Sequence, residues 1–331
     1  MPDLSTRYMG LELENPLIAA SSGLTGSLEN VKRIADAGAA AVVLKSMFEE
    51  VIVAQSEQLN REMMQTEHPE AYEYMRAELG MRVGPAPYLN FISEVKGALN
   101  IPVIASVNCV SSKWWAPYAR EIELAGADAI ELNISHFPGS NDDPAEIEKQ
   151  YVETVSQVSA QVTIPLSVKL NPYFTSIAKI ADELVHAGAK GLVLFNRLYS
   201  VDVDLKRRKV VPGMSLSSPG EMALPLRWIG TLYGNVNGDL AASTGIHDSD
   251  SILKMLMVGA SAVQLCSILY KKSPDHIAVL LKEIESWLAE NDCSSLKEIQ
   301  GVAQASEEDK QSLFKRLQYV KALEEAAQRV F

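Results

Sequence analysis

Leu124-Ala-Gly-Ala-Asp-Ala-Ile-Glu-Leu-Asn-Ile-Ser-His136 decides the fold, because its opening recurs three more times along the chain. The repeats are Asp36-Ala-Gly-Ala-Ala-Ala-Val-Val-Leu-Lys45, His186-Ala-Gly-Ala-Lys-Gly-Leu-Val-Leu-Phe-Asn196 and Met257-Val-Gly-Ala-Ser-Ala-Val-Gln-Leu265. In each, an amphipathic helical run ends at a glycine, which takes a left-handed C-terminal cap at no steric cost, and an apolar run follows at once. The unit reads as helix, tight turn, buried strand. A strand that is nearly all apolar belongs to a parallel sheet covered on both faces, and repetition of the unit implies repeated βα structure. Lys45, Asn133, Asn196 and Ser267 then fall at strand ends, where a βα barrel presents side chains to a substrate.

Working outward, the same pattern fills the rest of the chain. Asn15 to Ser21 reads as the first barrel strand, Ala41 to Leu44 as the second, Pro102 to Asn108 as the third and Ala129 to Ile134 as the fourth. Pro165 to Leu170, Gly191 to Phe195, Gly238 to Ala242 and Ala262 to Cys266 supply the remaining four. Helices are expected between them, including one from Ser217 to Tyr233 and a last one from about Pro274 to Glu290. The acidic, methionine-containing stretch from Glu50 to Leu79 is too long for a connection of about 2–6 residues and reads as an insertion over the barrel mouth. Residues 198 to 220 read as a long loop or a small β-hairpin. The expected fold is an α/β TIM (βα)8 barrel with an insertion after strand two: residues 1–291 form the barrel and 292–331 a helical extension packed on it.

Composition narrows the function. Of 331 residues, 47% are hydrophobic and 22% charged, which is ordinary for a globular chain. A formal charge of −12 argues against nucleic acid, which needs a footprint of lysine and arginine. Cys109, Cys266 and Cys293 are too few and too scattered for a disulfide framework, a zinc site or an iron–sulfur cluster, so no metal is expected. Neither a basic, apolar leader nor a run of roughly 18 apolar residues is found, so a cytoplasmic protein without a membrane span is expected.

With these residues in place, the chain resembles the dihydroorotate dehydrogenase family of FMN-dependent βα barrels over roughly residues 5 to 290. The resemblance is carried by Asn15-Pro16 with Ala20-Ser21, Lys45-Ser46, and Glu131-Leu-Asn-Ile-Ser135. It continues through Pro165-Leu-Ser-Val-Lys-Leu170 with Pro172-Tyr-Phe174, Asn196, Thr244-Gly-Ile246, Gly259-Ala260 and Gln264. It implies FMN as cofactor, held by Ala20, Ser21, Lys45, Asn108, Asn133, Lys169 and Asn196, with its phosphate on Ser243, Thr244, Gly245, Cys266 and Ser267. Lys45, Asn133, Asn196 and Arg197 would bind the substrate. A lysine near the flavin pyrimidine stabilises the negative charge that hydride transfer leaves there.

The chain departs from the family pattern at several points. Ala242, Thr244 and Cys266 stand where glycines are usual, and Arg197 replaces a serine. His136 stands where relatives carry a cysteine or serine base, so His136, with Lys45 beside the reacting centre, is the expected catalytic pair. The resemblance therefore implies oxidation of dihydroorotate, or of a related dihydropyrimidine or CH–CH substrate, with electrons passed to a soluble acceptor. Homodimerisation is a further expectation. The alternative is a flavin-binding barrel that keeps the scaffold for regulation without the reaction.

Overall fold

A computed structural model describes residues 1–48, 86–108, 112–134, 136, 139–197, 200–213 and 216–303. Eight parallel strands close into a barrel in the order β3 (Leu17–Ala19), β4 (Ala41–Val43), β6 (Val103–Asn108), β7 (Ala129–Leu132), β8 (Leu166–Leu170), β9 (Gly191–Leu194), β12 (Asp239–Ser243) and β13 (Ala262–Leu265). The ring shuts where Val263 of β13 pairs with Leu17 of β3. A two-residue strand, β5 (Met47–Phe48), adds to the upper end of β6 opposite Val107 and Asn108. The helices that follow are α1 (Leu28–Asp36), α2 (Ala86–Ala98), α3 (Ser112–Leu124), α4 (Pro144–Ser159), α5 (Ile177–His186), α6 (Ala223–Leu232), α7 (Ser249–Met257), α8 (Ser267–Lys272) and α9 (His276–Glu290).

The four repeated glycines do the same job four times. Gly38, Gly126, Gly188 and Gly259 have φ of +99°, +99°, +119° and +114°, each turning a helix straight into a strand. At Gly259 a Cβ would also stand 2.2 Å from the Tyr233 ring, so no larger residue fits. Helix starts are equally local: the side chains of Ser27, Asp143, Ser176 and Asp248 accept backbone N–H groups of the first turns they precede.

The inward-facing rows of the strands explain where the site must lie. At the barrel floor Ile18, Ala41, Val43, Ile104, Ala129, Val193, Ala241 and Ala262 pack together and are buried. An N-terminal hairpin of β1 (Thr6–Tyr8) and β2 (Leu11–Leu13) plugs that end with Tyr8, Met9 and Leu13. Two residues further along a strand the side chain points the same way. There the row turns polar: Ile104 is followed by Ser106, Ala129 by Glu131 and Asn133, Ala241 by Ser243, and Ala262 by Gln264. The barrel is thus apolar at the floor and hydrogen-bonding at the mouth. Each fully buried Leu or Ile in the floor and the surrounding strand–helix layer contributes about 1.5–3 kcal/mol, which supports the polar layer above.

Three details differ from the sequence reading. The N-terminal hairpin was not anticipated, since three-residue strands carry too little pattern to read. The helix expected from Ser217 begins later: a 3-10 turn at Pro219–Met222 precedes α6, because Ser217 itself is drawn into the barrel mouth. The six-residue α8 intervenes between β13 and the last helix. Residues 200–213, expected as a loop or a hairpin, take the hairpin form, with β10 (Ser200–Asp204) against β11 (Lys209–Gly213). Of the expected extension, residues 294–303 lie under the barrel, where Asp3 N–H donates to Ser294 and Gln300 to Ala260. The insertion at 50–79 and residues 304–331 fall outside the described residues.

Candidate active site

Lys169 is the cation that β8 carries into the barrel, and only 8% of its side chain is exposed. Its Nζ donates to Gln264 Oε1 of β13 at 2.8 Å and to Glu131 Oε1 of β7 at 3.3 Å. The ring closes where Gln264 Nε2 donates to Glu131 Oε2 at 2.5 Å. A buried charge is costly unless paired and hydrogen-bonded, and this ring satisfies both oxygens of Glu131 and both ends of the Gln264 amide.

A second polar chain runs across the neighbouring strands. Asn133 Nδ2 donates to Ser106 Oγ at 2.8 Å and lies 3.4 Å from Ser46 Oγ. Ser46 and Ser106 hydroxyls are 2.7 Å apart, and Ser21 joins Ser46 at 3.1 Å. Three strand ends and the Lys45-Ser46 turn are thereby tied together. Beside them Tyr151 of α4 donates to the Ile134 carbonyl at 2.9 Å and accepts from Asn171 Nδ2 at 3.1 Å, with Phe174 edge-on to its ring. Burial pushes the Tyr151 hydroxyl above its ordinary pKa, so it stays a donor.

The remaining expected residues sit at the rim. Lys45 is exposed, and its N–H donates to Thr25 O. Ala20 is buried beside Ser21, and Asn108 ends β6 half-buried. Asn196 donates its N–H to Leu170 O at 2.7 Å. His136 follows β7 with 30% of its side chain exposed, and its Nε2 meets Asp142 Oδ2 at 3.2 Å. The Gly139 N–H first, and His136 second, hold the Asp142 carboxyl below the usual range, so it is a carboxylate at neutral pH. Arg197 donates from Nε to Glu221 Oε2 at 2.8 Å. Burial acts to raise the Glu221 pKa, but Arg197 and the Ser218 N–H outweigh it and the net shift is downward.

At the loops after β12 and β13 the donors converge on Ser217. Its N–H donates to Ser267 Oγ at 2.9 Å, its carbonyl accepts from Lys271 Nζ at 2.8 Å, and its hydroxyl lies 3.4 Å from the Gly245 N–H and 3.1 Å from His247 Nε2. Thr244 takes φ +77° and spends its hydroxyl on the Phe195 carbonyl at 3.1 Å, while Ser243 is buried and its carbonyl accepts the Phe195 N–H. Burial raises the Cys266 thiol, against the opposing pull of Lys169.

The structure therefore brings Lys169, Asn133 and Ser21 into one mouth with Ser243, Thr244, Gly245, Cys266 and Ser267 on its adjacent wall. It also adds residues that the sequence reading gave no role: Glu131, Gln264, Ser46, Ser106, Ser217, His247 and Lys271. For Glu131, Gln264 and Ser106 a signal existed, namely a polar residue inside a short apolar strand, in step with the strand-end residue. Ser217, His247 and Lys271 meet across loops, and no spacing announces that. Among the described residues no group of His, Cys, Asp and Glu could hold a metal ion, and no helix is long and apolar enough to cross a membrane.

Comparison with known proteins agrees with this arrangement. The model of the dihydroorotate dehydrogenase family matches residues 3–288. The catalytic subunit of dihydroorotate dehydrogenase B (NAD(+)) from Methanocaldococcus jannaschii is 30% identical over 311 residues, covering 91% of this chain and 98% of its own. Proteins of the same name from Thermoplasma acidophilum and Pyrococcus furiosus are each 27% identical, over 92% and 91% of this chain and 99% of theirs. A family match over nearly the whole barrel, a closed parallel barrel and a polar mouth on its strand ends agree: the chain belongs to the dihydroorotate dehydrogenase family.

Proposed function

We propose that this protein is an FMN-dependent dehydrogenase that oxidises dihydroorotate, or a closely related dihydropyrimidine carboxylate, to the unsaturated product. The observation that carries the reading is the Lys169 ammonium, buried at the mouth end of the barrel interior and fixed from two sides by Glu131 and Gln264. The residues present fit the cofactor. Lys169 would face the flavin ring system, with Ser21, Asn133 and Asn196 around it. Gly245 N–H, the Ser267 hydroxyl and the Lys271 ammonium form a donor set suited to a phosphate, and Ser217 now engages those groups. When bound, FMN supplies the hydride acceptor.

The chain's own residues supply the rest. His136 is the base. Its Nε2–H is given to Asp142, a tautomer assigned from the carboxylate partner, which leaves the Nδ1 lone pair to take a proton from the substrate carbon. Asp142 orients the imidazole and stabilises the cation that forms, as the third member of a nucleophile–base–carboxylate array does. Arg197, oriented by Glu221, recognises the substrate carboxylate, a role suited to a planar guanidinium. Asn133, locked by Ser106 and Ser46, orients the ring amides of the substrate. Lys45 stands at the rim next to that set. The acceptor is read as soluble, and the name of the relatives, with NAD(+), supports that reading.

The reading is tested by identifying the flavin released from the purified protein and assaying for orotate after dihydroorotate is added. Bound FMN and orotate formation are expected. A protein that neither carries nor takes up flavin would instead be a barrel that has kept the scaffold without the reaction.

A further inference from the structure

An ammonium has three N–H donors, and Lys169 spends two of them, on Gln264 and Glu131. The third has no partner among the described residues. The two partners are also tied to each other, because Gln264 donates to the second oxygen of Glu131. All three side chains are buried and come from three strands, β7, β8 and β13, so none can turn away without breaking the other contacts. The amide of Gln264 has one workable orientation: reversed, its NH2 would face the ammonium and its oxygen the carboxylate.

We infer that Glu131 and Gln264 are positioning residues that set both the direction and the net charge of Lys169 toward the flavin. The inference rests on the reading of the site proposed above. The Lys169–Glu131 pair sums to zero, so the cofactor meets an oriented N–H dipole rather than an uncompensated cation. A flavin held against that N–H would carry more negative charge when reduced, so a change of one charge unit among these three side chains would alter the affinity for reduced against oxidised FMN. The nearby Cys266 thiol is held neutral by burial and adds no charge there.

Two substitutions of matched shape test it with opposite signs. Glu131→Gln removes the negative charge and should raise the ratio of affinity for reduced over oxidised FMN, on the order of tenfold. Gln264→Met keeps the charge but removes the acceptor that aims Nζ, so the ammonium turns to Glu131 alone and the ratio should fall, on the order of threefold. Both are read by flavin titration at fixed redox poise, without turnover. A merely structural role would weaken both forms of FMN together and leave the ratio alone. Ratios that stay within twofold of the parent, or move in the same direction in both variants, overturn the inference while the parent still binds FMN. If the parent takes up no flavin, the cofactor reading fails instead, and the inference falls with it. If one variant does not fold, the other gives the sign on its own.

Discussion

Lys169 and Arg197 are both cations paired with a carboxylate at the mouth of the barrel, yet their side chains are 8% and 34% exposed. Lys169 is held by residues of neighbouring and opposite strands, and its place follows from barrel register. Arg197 pairs with Glu221 of a 3-10 turn, and its place follows from a loop. The same chemical pair therefore does two different things. Buried, it is fixed and costly to lose; at the rim it is adjustable and cheap. On the proposed reading, Glu131, Lys169, Gln264, Asn133, Ser106 and Ser46 would hold the cofactor in one pose. On the same reading, His136 with Asp142 and Arg197 with Glu221 would meet a substrate that enters and leaves.

The largest expected effect comes from removing the buried cation. Lys169→Met leaves Glu131 in the interior without its counterion and should destabilise the fold by about 3–5 kcal/mol, measured by chemical denaturation of the flavin-free chain. A loss below 1 kcal/mol would mean that Lys169 is not buried as described. His136→Ala should keep its FMN but slow flavin reduction by about 10²–10⁴-fold, and the pH–rate profile should lose its acidic limb. Reduction at the parental rate would move proton abstraction to another residue.

Arg197→Ala supplies the rim counterpart of the lysine variant. Its pair with Glu221 is a third exposed, so stability should change by less than about 1 kcal/mol, while the Michaelis constant for an acidic substrate rises and flavin content stays. Unaltered kinetics would restrict Arg197 to pairing with Glu221. The smallest effect is a pH slope. Burial, and then Lys271, hold the His247 imidazole below its ordinary pKa in the folded chain. The folded state thus binds its proton less readily than the unfolded one, and this contribution to stability is full above about pH 6.5 and is lost as pH falls toward the lowered value. His247→Gln should flatten that acid-side slope in thermal melts; an unchanged slope would assign it to other groups.

The barrel was legible because Gly38, Gly126, Gly188 and Gly259 each mark a helix-to-strand turn with an unmistakable apolar run behind it. Strand ends were legible for the same reason, which placed Lys45, Asn133, Lys169 and Asn196 at one end. The partners of Lys169 were harder to see. Glu131 and Gln264 are 133 residues apart, and only barrel closure brings them to hydrogen-bond distance. Ser217 reads as the start of a helix, because a serine before Pro-Gly-Glu has every local mark of a cap. Its contacts with Ser267, His247 and Lys271 instead draw it to the mouth, a tertiary effect that local pattern does not contain.

The most direct measurement is anaerobic single-turnover mixing of the FMN-loaded protein with dihydroorotate, followed at the oxidised-flavin absorption band. If Lys169 faces the flavin and His136 takes the substrate proton, the band decays to that of reduced flavin, and one orotate forms for each flavin reduced. A band that persists at saturating dihydroorotate, in a protein shown to hold FMN, would contradict the assignment of this site to dihydropyrimidine oxidation.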